Sequence, residues 1–183
     1  MKTLILISFL LCTIFTGFAQ EVTELEEARI VVLPKQLPSS NSNEYRFQVN
    51  EKYAGEFSKD AVSFMLDNFD MPGFIATVID KEYDAYLLTF SSSNGYLSAD
   101  FDKEGQLVST NQRFKDVVLP LDVRRNLYVQ NKGWTMTKNT YKATGEEDRL
   151  DKEMYRIKME RGNDKKIVKI DPKLINASEV ASN

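Results

Sequence analysis

Two stretches of this chain repeat one another at a fixed offset of 69 residues, and a repeat of that kind restricts the fold to one assembled from like units. Tyr86-Leu87-Leu88-Thr89-Phe90 is answered by Tyr155-Arg156-Ile157-Lys158-Met159. Ala99-Asp100-Phe101-Asp102 is answered by Val168-Lys169-Ile170-Asp171. Helical positions echo at 62 residues, Asp60 with Asp122 and Met65 with Leu127. The difference falls in 143–152, a charged stretch that predicts an inserted surface loop, where added length is cheap. A helix-plus-hairpin unit cannot cover its own apolar face. The expectation is therefore α+β: two tandem helix-plus-antiparallel-strand repeats, about 58–114 and 119–171, sharing one sheet with the helices packed on one face.

Local signals supply the elements. Ala28 to Leu33 reads as a strand stopped by Pro34, Pro38 to Asn43 as a polar loop, and Tyr45 to Val49 as a short alternating strand. Residues 20–57 thus form an N-terminal strand and linker. Ser58 is a candidate N-cap, with Ala61, Phe64, Met65 and Phe69 at helical spacing behind it. Pro72-Gly73 punctuates, and Phe74 to Asp80 and Glu82 to Phe90 read as strands. Asn94-Gly95 is a strong hairpin signal, followed by strands at Tyr96 to Asp102 and Gln106 to Phe114. Pro120 suits the first turn of a second helix, with Val123, Leu127 and Tyr128 as its buried stripe. Strands follow at Gly133 to Lys142, Met154 to Glu160 and Lys165 to Asp171, then a frayed tail over 172–183.

The start of the chain reads as an export signal. Lys2 precedes an apolar run from Leu4 to Phe18, and Gly17-Phe18-Ala19 presents small residues where a signal peptidase cuts. Residues 1–19 are expected to leave, and the remainder to be periplasmic or secreted, with no membrane span. Cys12, the one cysteine, lies inside that run, so no disulfide is expected after cleavage.

The chain has no histidine. Without histidine or a second cysteine there is no serine triad, no cysteine protease and no ordinary zinc site. Carboxylates, lysines and tyrosines remain, and neither an enzyme nor a cofactor is expected. The net charge of −3, with no basic run longer than Arg124-Arg125 or Lys165-Lys166, argues against nucleic acid or an anionic membrane as partner.

Phe101-Asp102-Lys103-Glu104-Gly105-Gln106-Leu107, Phe114 to Pro120, Gly133-Trp134, Met154-Tyr155-Arg156-Ile157 and Ile167 to Asp171 follow one another in an order that resembles the PepSY-like, beta-lactamase-inhibitor-like family of small exported bacterial proteins. The resemblance covers roughly 58–171. It implies an antiparallel sheet with packed helices and a binding or inhibitory role without catalysis.

Candidate binding residues follow from exposure and chemistry. Tyr96 sits at a hairpin, and Thr135, Thr137, Asn139 and Tyr141 alternate onto what reads as the polar face of their strand, opposite Trp134 and Met136. Asp100 and Asp102 begin like a calcium loop but lack its closing acid, because the twelfth position is Asn111. They are a weak metal candidate. Tyr86, Tyr155 and Trp134 read as core. The favoured expectation is an exported binding module for a protein or peptide in the envelope or outside the cell, possible targets including an enzyme it inhibits. The alternative is a small-ligand or cation-binding envelope protein that uses the acidic hairpin.

Overall fold

The structure is a computed structural model that describes residues 28–32, 43–78 and 83–175. The expected signal peptide at 1–19, Leu33 of the expected first strand, the expected loop Pro38 to Asn43 except Asn43, and the tail beyond 175 lie outside the described residues. Eight strands form one sheet in chain order: β1 (Ile30–Val32), β2 (Glu44–Val49), β3 (Ala85–Ser92), β4 (Gly95–Asp102), β5 (Leu107–Lys115), β6 (Thr135–Glu146), β7 (Arg149–Arg161) and β8 (Asp164–Ile170). All neighbours are antiparallel except β2 and β3, which run parallel. Parallel neighbours need a long crossover. Here a 3-10 turn (Glu51–Tyr53) and the helices α1 (Ala54–Lys59), α2 (Ala61–Asn68) and α3 (Met71–Val78) lie between them. The fourth helix, α4 (Leu121–Gln130), joins β5 to β6. The fold is α+β, as the residue pattern predicts.

One face of the sheet is buried. Inward residues alternate along each strand, with Tyr86, Leu88 and Phe90 on β3 and Tyr155, Ile157 and Met159 on β7, all buried. Phe57, Phe64 and Met65 from α1 and α2, and Val123 and Leu127 from α4, join the same apolar cluster. Tyr128 does not: it is exposed on α4. Phe69 meets Phe47, Phe74 and Phe90 at centroid distances of 4.8, 5.7 and 5.1 Å. A buried phenylalanine contributes about 1.5–3 kcal/mol through burial alone, so this group anchors the first half.

Several local expectations are corrected. The helix boundary falls at Asp60 instead of Ser58. Asp60 Oδ1 accepts from Ser63 N at 3.1 Å, while Ser58 sits inside α1 and donates to Gly55 O. Residues 74–78 of the expected strand are helical, and Asp80 is outside the described residues. Asp70 caps this helix by accepting from Gly73 N at 3.0 Å, and Pro72 falls in the first turn, where no N–H is needed. Phe74 then packs edge-on against Tyr45 and Tyr86. Packing overrides the strand preference of Ile75, Thr77 and Val78. The place beside β3 that this segment would have taken as a strand is occupied by β2.

The hairpin at Asn94-Gly95 is displaced by one residue. Ser93 and Asn94 form the turn, and Gly95 pairs with Ser92 inside the ladder. Gly95 is required for closeness instead of a positive φ. A Cβ there would collide with the Arg113 carbonyl oxygen and stand 2.7 Å from Phe114 Cα.

The charged stretch 143–152 is no loop. β6 and β7 pair through it and turn at Glu147-Asp148, with Glu147 at φ +55°. Its inward positions are Ala143 and Gly145, too small to register as an apolar pattern. Finally, the tail begins with a helical turn over 172–175 that buries Ile175.

Candidate functional site

The core face of the sheet turns polar where β5 meets β6. Thr110 and Gln112 occupy inward positions on β5, and Asn139 and Tyr141 on β6, all buried. Two neighbouring rows of the ladder define the floor of a cleft. Gln112, Ala143 and Glu153 lie side by side in one row, and Phe114, Tyr141, Tyr155 and Ile170 in the next. Gln112 and Glu153 from the first row and Tyr141 and Tyr155 from the second face the opening. The cleft holds about 760 Å³, with α1, the start of α2 and the loop 116–120 as its walls.

The floor is a tyrosine pair with a carboxylate. The rings of Tyr141 and Tyr155 lie 4.9 Å apart at 37°. Tyr141 Oη donates to Glu153 Oε1 at 2.8 Å. Burial raises the pKa of the Tyr141 phenol, and the hydrogen bond to Glu153 and the Glu153 charge add to it. Tyr155 is pushed up to about 12 by burial first, then by the charges of Glu153 and Asp122. Both tyrosines are neutral at ordinary pH. Asp60 and Asp116 line the same cleft, with Lys59 as the opposing charge, so the cavity carries net negative charge. The Gln112 amide makes no side-chain hydrogen bond among the described residues and lines the cleft.

Asn139 builds one wall. Its Oδ1 accepts from Val117 N at 3.1 Å and its Nδ2 donates to Val117 O at 2.9 Å. Its backbone exchanges two further bonds with Asp116, which is held at φ +53°. An aspartate tolerates the left-handed region better than most residues, and these four bonds fix it there.

The sequence-derived candidates therefore separate. Tyr141 lies in the cleft, and Asn139 braces its wall instead of facing solvent. The face assignment of β6 is corrected by a bulge: Met136 pairs with Met159, but Lys138 pairs with Lys158, so Thr137 is the extra residue. An extra residue places two successive side chains on one side. Met136, Asn139 and Tyr141 consequently turn inward together, while Thr135 and Thr137 remain exposed at the far end of the strand. Tyr96 is on the opposite face of the sheet, in register with Ser91 and Arg113. Asp100 accepts from Ser109 Oγ at 2.6 Å, and Asp102 from Gln106 N at 2.8 Å, so both brace their hairpin. Among the described residues no three histidine, cysteine, aspartate or glutamate side chains gather to hold a metal ion. Trp134 is half-buried, with the Lys166 ammonium 4.1 Å and the Arg161 guanidinium 4.7 Å from its ring centre.

Glu153, Gln112 and Tyr155 are the site residues that sequence reasoning missed. Parity carries the signal: Glu153 is in line with Tyr155, Ile157 and Met159, and Gln112 with Phe114. A carboxylate or amide on a buried face marks a place where the core opens.

Comparison of the chain with protein-family models, curated proteins and solved structures finds no match. No helix among the described residues is long and apolar enough to cross a membrane, which says nothing of strands.

Proposed function

We propose that this chain is an exported, non-enzymatic binding module of the PepSY-like, beta-lactamase-inhibitor-like kind, built by duplication, that captures a cationic side chain of a protein or peptide partner in the cleft over β5 and β6. One observation carries the reading: a carboxylate, Glu153, set beside two neutral tyrosine rings on the floor of a net-negative cleft. An arginine or lysine entering there would meet the Glu153 carboxylate and the ring faces together, a charge-assisted contact combined with a cation–π contact. The Gln112 amide would accept a remaining donor. The absence of histidine from the chain, together with the export signal expected at residues 1–19, supports a binding role outside the cytoplasm.

The test is a panel of short peptides that differ at one position, carrying arginine, lysine, norleucine or glutamate, titrated calorimetrically into the signal-free chain. Arginine and lysine peptides should bind and the other two should not. Glu153→Gln should weaken the cationic peptides about tenfold, in line with the loss of one charge-assisted hydrogen bond. Equal binding of the norleucine peptide, or no effect of Glu153→Gln in a variant with an unchanged circular dichroism spectrum, would sink the reading.

A further inference from the structure

The face of the sheet turned away from the helices is basic over β5 to β8, although the chain as a whole has 27 acidic against 24 basic residues. Arg113 and Lys115 on β5, Lys142 on β6, Arg156 and Lys158 on β7 and Lys169 on β8 all point outward and are exposed. The register sets them against one another. Arg113 pairs directly with Lys142, Arg156 with Lys169, and Lys138 with Lys158. Like charges placed directly opposite across a ladder destabilise it. None of these side chains makes an ion pair among the described residues, whereas the nearby Lys165 reaches Glu160 at 3.7 Å. Among the described residues no carboxylate relieves this repulsion, so an anion laid across the face would.

We propose that this face binds a linear anionic polysaccharide. Neighbouring strands rotate by about 20–25°, so β5 to β8 turn through roughly 60–75° in all. A flexible chain can follow that saddle, whereas a flat bilayer meets only part of it. Bilayer-binding surfaces also insert several large apolar side chains, and this face offers the exposed Met154 and Ile167. Protein interfaces are depleted in lysine at their centre and enriched in aromatics, the reverse of what stands here. Single-stranded nucleic acid needs stacking platforms, and among the described residues Tyr96, at one corner, is the exposed aromatic side chain on this face. Between the cations lie Asn111, Thr140 and Thr144, short donors and acceptors suited to sugar hydroxyls. Shallow hollows follow the face, one of about 420 Å³ at Tyr96, Arg113 and Lys115, one of about 640 Å³ at Lys142 and Lys152, and one of about 440 Å³ at Lys158 and Lys165. Cations line each of them; the first has no carboxylate, the second also carries Glu153 and Asp171, and the third carries Glu160 beside Lys158, Lys165 and Lys166.

The experiment is affinity electrophoresis of the signal-free chain through gels containing polygalacturonate, with neutral dextran as control. Oligo(dT), polyglutamate and phosphatidylglycerol vesicles serve as competitors. Polygalacturonate should retard the protein at low salt, less so as salt rises, and dextran should not. The double variant Arg113→Glu with Arg156→Glu should lose about tenfold or more in affinity, in proportion to the contacts reversed. Tyr141→Phe, at a residue that lines the cleft and none of these hollows, should leave retention unchanged, so this proposal and the cationic-peptide reading can fail separately. The proposal is overturned by no retardation at low salt, by retardation that survives the double variant, or by a competitor that binds as tightly as polygalacturonate.

Discussion

At the scale of a single residue, the two cleft tyrosines show how burial and a neighbouring carboxylate act together on one group. Tyr155 is 7% exposed, and the Glu153 charge adds to its burial, so its phenol holds the proton up to about pH 12. In the unfolded chain the same phenol releases its proton near its ordinary value of 10.0. Between those two values the unfolded state binds fewer protons than the folded one, so stability is fully present below pH 10 and falls as pH rises. Tyr155 alone contributes on the order of 2 kcal/mol to that fall. Denaturant unfolding measured across this window should show the loss, and Tyr155→Phe should reduce it, leaving the part that Tyr141 contributes. Glu153→Gln should bring the phenolate absorbance of the folded protein to lower pH. Titration of every tyrosine near its ordinary value in the folded state would contradict this account.

At the scale of an element, the bulge in β6 decides which side chains meet the core. Without Thr137 as an extra residue, strict alternation would send Met136 and Asn139 to opposite faces. With it, Asn139 reaches Val117 and pins the 116–120 loop against the strand. The loop is the wall of the cleft, so Asn139 is a positioning residue that does not itself line the cavity. Asn139→Ala removes both amide bonds and leaves the buried Val117 N–H and carbonyl without their partner. The expected cost is about 2–3 kcal/mol, set by two lost hydrogen bonds and the desolvation they had offset. Equilibrium urea unfolding reads this directly. Faster hydrogen exchange at Val117 than at the β7 amides should accompany it, because the loop loses its tie while the ladder remains. A stability change within about 0.5 kcal/mol, as for an ordinary surface substitution, would remove Asn139 from this role.

At the scale of the whole molecule, legibility in the sequence followed side-chain size. Strands with large inward residues, such as Tyr86-Leu88-Phe90 and Tyr155-Ile157-Met159, were plain from alternation. The hairpin through Ala143 and Gly145 was hidden because its inward residues are small, and α3 was hidden because β-branched residues serve a helix there. The basic face escaped for a different reason. Its cations stand two or four residues apart along four strands, so no run along the chain is basic, and only the register brings them together. That register yields a prediction in which stability and binding move in opposite directions. Lys142→Glu sets a carboxylate directly opposite Arg113 and replaces a repulsive pair by an attractive one. Folding should become more favourable by about 0.2–1 kcal/mol at low ionic strength, the range for a cross-strand charge pair. The gain should shrink as salt is raised, because these exposed charges are screened over roughly 10 Å at 0.1 M. Retention on polygalacturonate should fall in the same variant. Urea unfolding at low and high salt, beside the gel assay, measures both. A variant that is less stable at low salt, or whose gain persists unchanged at high salt, would mean that the lysines and arginines of this face do not repel one another, and the reason for seeking an anionic partner would go with it.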